Sequence, residues 1–473
     1  MLLTYTTIKV NYNNTTMDYT APLLIMKHHF ATGSTLPYAY RIALLRSFKQ
    51  ALLHHEQAIY EALYTDLKKS TEEVWVTEIG LVLTEINNAI RNLRCWMKPV
   101  RVRTNLLNFP SRSRIYSEPL GVVLIIAPWN YPLQLLLSPL VGAIAAGNCV
   151  ALKPSEHAPA TAEVMRLIVA QAFTTKDVYY YTGDGATVIP ALMHHYTFDH
   201  VLYTGSIAVG KLIYAMAAPN LVPVTLELGG KSPCIITSHA QLKVAAKRIA
   251  TAKYTNCGQI CVAPDYILIH ESQVSAFIPL LISAIQAQYT TNPATCSNYG
   301  SIINQAQYTR LLTYLQQGTI VHGGSYNQAT LYLEPTLLTQ VSMDSPIMQD
   351  EIFGPILPIL TYNTNEEAKA VIAHNPNPLA LYVFTNDKQE ADDWINTVPY
   401  GGGCINNASW HLTNHHLPFG GRGYSGIGAY HGKYSFKLFS HSKSVMHCPT
   451  WFNPAIKHPP FTGKLGLFKK IIR

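Results

Sequence analysis

Residues 122–152 read VVLIIAPWNYPLQLLLSPLVGAIAAGNCVAL, and this stretch decides the fold class. It opens with the apolar run Val122–Ile126, passes through a Pro-Trp-Asn turn into an apolar segment of helical length, and ends in a second apolar run from Cys149. Short apolar runs bounded by turn residues indicate strands that are buried on both faces. A strand, a helix and a strand in succession form a parallel βαβ unit, so the stretch predicts an α/β protein.

The same alternation continues along the chain. Residues 36–98 carry apolar side chains at helical spacing, and later strand-like runs alternate with helical segments. This pattern predicts parallel sheets that are covered on both faces. Further strands are expected at residues 178–181, 201–203, 233–236 and 266–269, with helices at 159–173, 240–255 and 273–288.

A chain of 473 residues is too long for one small core and suits two domains of similar size. We expect a first domain at residues 26–227, which includes an extended arm near 110–118, and a second domain at 228–428. Residues 1–25 lack clear periodicity and are expected to be a disordered lead-in. The remainder divides into a second extended arm, residues 429–449, and a basic amphipathic tail, residues 450–473.

The charge of the chain is mild and dispersed. The formal net charge is +8, and only 13% of the residues are charged, while 48% are hydrophobic. This bias is compatible with an anionic dinucleotide or a membrane surface. Binding of nucleic acid requires a clustered basic patch, which the sequence does not show, so no nucleic-acid partner is expected.

Cysteine usage indicates a reducing compartment. Eight cysteines are spread over the chain without a recurring short spacing, which argues against a disulfide framework. A cytoplasmic location is therefore expected. The first residues do not show the basic and apolar regions of a secretory signal, and no apolar run is long enough to span a membrane.

Three short motifs carry reactive side chains. Cys261 ends NCGQIC, Glu227 lies in LELGGKSP, and Asn130 lies in APWNYP. A thiol can attack a carbonyl carbon, a carboxylate can activate water, and an amide N–H can stabilise an oxyanion. Together they supply what acyl chemistry through a thioester requires.

Each of the three residues also has an ordinary interpretation. A lone cysteine such as Cys261 is usually a buried structural residue, and Asn130 could simply form a turn before a proline. A carboxylate at the end of an apolar strand, such as Glu227, could pair with Lys231. Cys257 lies four positions before Cys261 and has no assigned role, so it serves as a natural control.

Other motifs are weaker. Residues 205–212 resemble a phosphate loop, but Leu212 stands where a nucleoside triphosphatase needs a hydroxyl for Mg²⁺. Gly205 and Ser206 still follow a strand and open a helix, an arrangement that suits a phosphate. The GRGYSG sequence at 421–426 lies outside any βαβ unit, so it is not a dinucleotide fingerprint. The histidine doublets lack metal-binding spacing, and no metal site is expected.

Two long strings carry a family resemblance. CGQICVAPDY at residues 257–266 and SGIGAYHGK at 425–433, preceded by PFGG at 418–421, resemble the aldehyde dehydrogenase superfamily. They are most similar to its class 3 branch, whose members act on fatty and aromatic aldehydes. The resemblance extends over roughly residues 29–447. It implies an α/β protein with two Rossmann-like parallel-sheet domains, for cofactor binding and catalysis, and a small extended arm for oligomerisation.

The resemblance also assigns roles. It implies that Cys261 is the nucleophile, that Glu227 is the general base, and that Asn130 and the backbone N–H of Cys261 form the oxyanion hole. Glu351 and Phe353 match the motif that holds the nicotinamide ribose and ring. The other positions that fall on the dinucleotide site are Trp129, Lys153, Glu156, Gly205, Ser206, Gly210 and Gly229, with Lys153 and Glu156 towards the adenosine ribose. NAD is the expected cofactor, with NADP tolerated.

The expected reaction is NAD(P)-dependent oxidation of a fatty or aromatic aldehyde to the carboxylic acid. Cys261 would form a thiohemiacetal and then a thioester, which Glu227 would hydrolyse. A CoA-acylating dehydrogenase would not need Glu227 as a base for water. A cysteine hydrolase would need a histidine partner, and no histidine is evident near the three motifs. The family resemblance further implies a homodimer assembled through the arms.

The C-terminal tail offers two alternatives. Leu465, Phe468 and Ile472 would share one face of a short helix, with lysines mostly elsewhere. This helix could cover the substrate entrance as a lid, or rest weakly on an anionic membrane surface.

Overall fold

The computed structural model describes residues 19–471. Its first sheet has six strands. Five of them are parallel, and the sixth, Gly426–Ile427, pairs antiparallel with Val224–Leu228. Buried apolar side chains make up the strands on both faces, as the sequence predicts. In spatial order the strands are Gly426–Ile427, Val224–Leu228, His200–Gly205, Val122–Ile126, Cys149–Lys153 and Val178–Tyr180. The helices of this domain are Pro132–Ala146, Pro159–Ala172, Gly185–His195 and Ile207–Ala217.

The second sheet has seven strands and forms the other domain. It is parallel except for its first strand, which pairs antiparallel with the second. In spatial order the strands are Thr319–His322, Thr336–Thr339, Ile356–Tyr362, Tyr266–His270, Pro233–Ile236, Ala380–Phe384 and Gly402–Ile405. The helices are Leu242–Tyr254, Val274–Tyr289, Gln305–Tyr314, Pro346–Gln349, Asn365–Ala373 and Lys388–Thr397, and a small hairpin joins Tyr326–Asn327 to Tyr332–Leu333.

A layer of helices precedes the first sheet. It comprises Tyr38–His54, Glu56–Leu67 and a long helix from Thr71 to Trp96, which contains a π-helical turn at Trp75–Ile79, whereas Ala21–Ala31 packs on the opposite face of the sheet. The expectation of disorder through residue 25 does not hold for its last residues, because the first helix begins at Ala21 and buries Leu23 against the sheet. Residues 1–18 of the expected lead-in lie outside the described part of the chain.

The two expected arms form one sheet. Arg112–Pro119 pairs antiparallel with Val100–Val102 on one side and with Ser440–His447 on the other. The second arm is shorter than the expected 429–449, because Lys433–Leu438 is a helix that packs against Pro132–Ala146. None of the helices within residues 19–471 is long and apolar enough to cross a membrane.

Strand ends bring the predicted residues together. Asn130 follows the strand Val122–Ile126, Lys153 and Gly205 each end a strand, and Glu227 is the second-last residue of its strand. These strands are parallel, so their carboxyl ends meet at one edge of the first sheet. Ligand sites of open α/β sheets form at this edge.

Candidate active site

The loop that carries Cys261 is shaped by an unusual run of backbone angles. After the helix Leu242–Tyr254, Asn256, Cys257 and Gly258 all have positive φ, at 50°, 52° and 72°. A Cβ on Gly258 would lie 2.3 Å from the carbonyl oxygen of Gly354. Only glycine fits there, since both the angle and the space exclude a side chain. The loop therefore lies directly against the segment that contains Glu351 and Phe353.

Gln259 fixes this loop from within. Its side-chain amide donates to the carbonyl oxygens of Asn256 and Ser301, at 3.0 Å each. Its side-chain oxygen accepts the backbone N–H of Ile303 at 3.0 Å. Gln259 is fully buried, and these three bonds hold the residues just before Cys261 in one conformation.

Asn130 is bound to the same loop. Its side-chain Nδ2 donates to the carbonyl oxygen of Gln259 at 2.9 Å, and its own carbonyl oxygen accepts from Nδ2 of Asn256 at 2.9 Å. This bond uses one of the two N–H groups of the Asn130 amide, and within residues 19–471 the side-chain nitrogen makes no second hydrogen bond. The turn interpretation of Asn130 is therefore incomplete.

Cys261 lies on the wall of a cavity of about 460 Å³. Side chains that line the cavity include Tyr131, Leu135, Ile260, Tyr289 and Phe419. Burial raises the pKa of the Cys261 thiol, and the nearby carboxyl groups of Glu351 and Glu227 raise it further. Of the three catalytic candidates, Cys261 alone is among the residues that line this cavity.

Cys257 has a different environment. Only 1% of its surface is exposed, and its sulfur lies in the protein interior beside Tyr299. Burial raises the pKa of this thiol as well. Cys257 does not line the cavity, so its position is that of a buried structural cysteine.

Glu227 is enclosed without an ionic partner. It is 3% exposed, and neither of its carboxyl oxygens has a hydrogen-bond partner within residues 19–471. Burial raises the pKa of Glu227 well above its ordinary value. No salt bridge joins Glu227 to Lys231 in this part of the chain, because Lys231 pairs with Asp265 at 2.5 Å. An unpaired buried carboxyl group is typical of a functional site.

The dinucleotide candidates lie at the ends of neighbouring strands. Lys153 is buried and its Nζ donates to Oε2 of Glu156 at 3.1 Å. Ser206 caps the helix Ile207–Ala217 by accepting from the N–H of Val209 at 3.4 Å. Gly210 has a packing role, because a Cβ there would lie 2.7 Å from a methyl group of Leu228.

Two contacts fit the nicotinamide end of a dinucleotide. A Cβ on Gly229 would lie 1.8 Å from a carboxyl oxygen of Glu351, so the missing side chain admits that carboxyl group. The rings of Trp129 and Phe353 meet edge to face, with centroids 5.3 Å apart. Phe353 has a positive φ of 49°, a strained conformation that is common at functional sites. A carboxyl group and two aromatic rings beside a residue without a side chain fit the chemistry of a nicotinamide ribose and ring.

Sequence reasoning missed several residues. His431 lines the cavity, with its ring stacked on Phe419 at 5.1 Å, and burial lowers its pKa to about 3. Glu73 also lines the cavity, and burial raises its pKa to about 7. Glu78 had a visible signal: it lies midway between Val74 and Val82 on an apolar helical stripe, and all three are fully buried.

No cluster of three or more histidine, cysteine, aspartate or glutamate side chains within residues 19–471 is placed to hold a metal ion.

Comparison with known proteins shows what the chain is similar to. Residues 4–445 match the model of the aldehyde dehydrogenase family. The chain is 45% identical to the 4,4'-diaponeurosporen-aldehyde dehydrogenase of Staphylococcus aureus, over 94% of this chain and 97% of that protein. It is 42% identical to human aldehyde dehydrogenase family 3 member B1, over 89% and 90%.

Solved structures show the same similarity. The substrate-bound Staphylococcus aureus AldH matches with a TM-score of 0.93 and 45% identity, over 96% of this chain and 99% of that one. An indole-3-acetaldehyde dehydrogenase in complex with NAD⁺ matches with a TM-score of 0.83 and 28% identity, over 90% and 88%.

Proposed function

The chain belongs to the aldehyde dehydrogenase family and oxidises aldehydes with a nicotinamide cofactor, and we propose that Cys261, Glu227 and Asn130 carry the reaction. The observation that supports this assignment is the hydrogen bond between the Asn130 side chain and the carbonyl oxygen of Gln259, two positions before Cys261. It connects the oxyanion donor to the loop of the nucleophile.

In this proposal Cys261 attacks as the thiolate, after its proton has passed to solvent. Its sulfur forms a bond to the aldehyde carbon, and the electron pair of the C=O π bond moves to oxygen, which becomes an alkoxide. The free N–H of the Asn130 amide and the backbone N–H of Cys261 stabilise that charge. Bound NAD would supply the acceptor for the hydride that leaves the former aldehyde carbon as the C=O bond re-forms, so an acyl thioester remains on Cys261. Glu227 in its ionised form then takes a proton from water as the water oxygen adds to the thioester carbon. The C–S bond breaks, which releases the carboxylic acid and restores the Cys261 thiolate.

The cofactor would lie along the carboxyl ends of the first sheet. Glu351 and Phe353 would hold the nicotinamide ribose and ring beside Gly229 and Trp129. Lys153 and Glu156 would face the adenosine ribose, and Gly205 and Ser206 the phosphates. Since Gly210 packs against Leu228, its part is to bring the helix close to the strand.

The substrate is proposed to be a fatty or aromatic aldehyde. About half of the residues that line the cavity beside Cys261 are apolar or aromatic, and most of the cavity surface is apolar, which suits an apolar substrate. A panel of aldehydes of increasing chain length, extended with aromatic aldehydes and with the aldehyde named for the Staphylococcus aureus relative, tests this. A preference for small polar aldehydes would contradict it.

The reaction type is tested with Glu227→Gln. This variant should accumulate an acyl group on Cys261, visible as a mass increase of the intact protein after addition of aldehyde and NAD. Wild-type enzyme should turn over without CoA. If turnover required CoA, the proposed role of Glu227 in hydrolysis would be rejected. The protein would then be a CoA-acylating dehydrogenase.

Assembly and location are proposed in the same way. The strands Val100–Val102 and Ser440–His447 form the two edges of the arm sheet, and Val100 and Met446 are exposed on them. Exposed edges are usually paired, which supports a homodimer joined through the arms. Light scattering at micromolar concentration would show a dimer. The dispersed cysteines support a cytoplasmic location.

The tail is proposed to make weak contact with anionic membranes. Its helix, Leu465–Ile471, exposes Leu465 and Leu467 and carries lysines, and Trp451 earlier in the tail is also exposed. No residue of the described tail, 450–471, lines the cavity, which weighs against a lid. Ile472, expected on the apolar face, lies outside the described residues.

A further inference from the structure

Behind Asn130 lies an ion pair that is completely shielded from solvent. Nζ of Lys69 is 2.7 Å from a carboxyl oxygen of Glu78, and both side chains are 0% exposed. A buried ion pair is a poor source of stability, because the cost of removing both charges from water offsets their attraction. The pair therefore calls for an explanation other than stability.

A π-helical turn sets the position of Glu78. Glu78 lies in the π-helical turn Trp75–Ile79, and Gly80 closes this turn by bonding to the carbonyl oxygen of Trp75. A Cβ on Gly80 would lie 2.7 Å from that same oxygen, so the wide turn needs glycine. π-Turns of this kind often occur at functional sites.

Each partner of the pair contacts the segment that carries Asn130. Glu78 accepts the backbone N–H of Gln134 at 2.9 Å, in the first turn of the helix Pro132–Ala146. Lys69 donates to the carbonyl oxygen of Asn130 at 3.0 Å, and its Nζ lies 3.8 Å from the ring centre of Tyr131. The pair thus holds the chain on both sides of Tyr131.

The carbonyl oxygen of Asn130 is shared between two donors. Lys69 approaches it from the helical layer, and Nδ2 of Asn256 approaches it from the Cys261 loop at 2.9 Å. The Asn130 amide returns a bond to Gln259 in that loop. Lys69 is therefore the link by which the helical layer fixes Asn130 relative to the loop of the nucleophile.

We propose that Lys69, held by Glu78, is a positioning residue that sets the Asn130 amide for the oxyanion. The proposal rests on the oxyanion role proposed for Asn130. Lys69 touches neither substrate nor cofactor in this role. It acts through the backbone of Asn130, so its loss should lower the rate of the chemical step and leave binding largely intact.

The test uses the variant Lys69→Met/Glu78→Gln, which removes both charges and leaves an acceptor for Gln134. Its single-turnover rate of nicotinamide reduction should fall by about 10- to 100-fold. This loss should not exceed the loss caused by removing an oxyanion donor itself. The KM for aldehyde, the Kd for NAD and the rate at which iodoacetamide alkylates Cys261 should change by less than about threefold. The single variant Lys69→Arg, which keeps the positive charge, should retain more of the single-turnover rate than the double variant.

A double-mutant cycle with Asn130→Ala separates positioning from general damage. Once the amide is gone, neutralising the pair should cause little further loss, because its target is absent. A full additional loss in the Asn130→Ala background would overturn the positioning role. Wild-type activity in Asn130→Ala alone would instead reject the oxyanion assignment, and the positioning role with it.

Two further variants guard the interpretation. Lys369→Met breaks a pair with Asp393, at 2.6 Å, in the second domain and should leave the rate unchanged. Glu78→Gln alone keeps Lys69 and serves if the double variant does not fold. It should show a smaller loss in the same step, and an unchanged rate would count against the proposal.

Discussion

Gly258 lies against the carbonyl oxygen of Gly354, so closely that a Cβ on Gly258 would stand 2.3 Å from that oxygen. The first residue belongs to the loop of the nucleophile and the second to the segment that contains Glu351 and Phe353. The two loops come from different parts of the second domain, and this contact holds the loop of the proposed nucleophile against the segment of the proposed nicotinamide site.

Gly258→Ala should disturb both loops at once. The new methyl group meets backbone on two sides, and its φ of 72° is unfavourable for alanine. We expect a loss of about 2 kcal/mol or more in the free energy of unfolding, with weaker NAD binding and a lower rate. Gly466→Ala is the control, since nothing lies within 4 Å of its Cβ position. Equal melting temperatures for the two variants would contradict the contact.

Cys261→Ser should abolish oxidation while NAD still binds. A serine hydroxyl is far less nucleophilic than a thiol at neutral pH, so we expect a rate loss of at least about 100-fold. Cys257→Ser, four positions earlier and buried, should keep most of the activity. Aldehyde oxidation and NAD binding measured on both variants decide the matter, and similar losses in both would mean that the nucleophile is misassigned.

Glu227→Gln should change the pH dependence of stability. Burial raises the pKa of Glu227 well above 4.5, so the folded protein keeps a proton that the unfolded chain releases. The folded state binds more protons over the range between these pKa values, and the stability that Glu227 contributes is therefore lost as the pH rises. The variant should melt higher than wild type near about pH 8.5 and equally near about pH 4. Thermal unfolding at both pH values measures this, and a difference independent of pH would contradict it.

Glu156→Gln should relax the choice between cofactors. Partial burial acts to raise the pKa of Glu156, but its backbone hydrogen bonds and Lys153 outweigh it and hold the pKa below the ordinary value. An ionised carboxylate near the adenosine ribose repels a 2′-phosphate. We expect kcat/KM with NADP to rise by a few-fold relative to NAD. Steady-state rates with both cofactors test this, and a wild-type preference for NADP would argue against the role.

Deletion of residues 459–473 should abolish binding to anionic liposomes. The deleted segment holds the exposed helix Leu465–Ile471 and its lysines, which together support weak binding to such surfaces. Turnover of short- and long-chain aldehydes should remain near wild type. Liposome cosedimentation and kinetics across chain lengths are the measurements. A changed KM for long-chain aldehydes with unchanged liposome binding would favour the lid instead.

Much of the fold was predictable because the strands are buried on both faces. A short apolar run such as Val122–Ile126, bounded by turn residues, indicates a strand buried on both faces. The turn and helix after it place Asn130 just beyond the end of that strand. The fold class was therefore correctly predicted, and the strings at residues 257–266 and 418–433 correctly predicted the family. Contacts between distant segments were not predictable in the same way. The partner of Lys231 proved to be Asp265, which no local pattern indicates.

The same limit applies to the residues behind the site. Lys69 contacts Asn130 across 61 positions of the chain, and His431 reaches the cavity from beyond the second sheet. A charged residue at an apolar position, as at Glu78, marks a buried polar contact but does not name its partner. Gly210 was assigned to the cofactor from its motif, and its contact with Leu228 appears only once the helix is packed on the sheet.

The short strand Gly426–Ile427 has a consequence for how the protein is made. Gly426 pairs with Glu227, although 199 positions separate them (426 − 227 = 199). A nascent chain that ends after Ile405 already holds every other strand of both sheets, yet the strand of Glu227 is still an open edge. Such edges attract wrong partners, and distant pairings form slowly. The region around the proposed base is therefore the last part of the two large sheets to be completed during synthesis, and a chain released after Ile405 would have an unprotected edge beside Glu227.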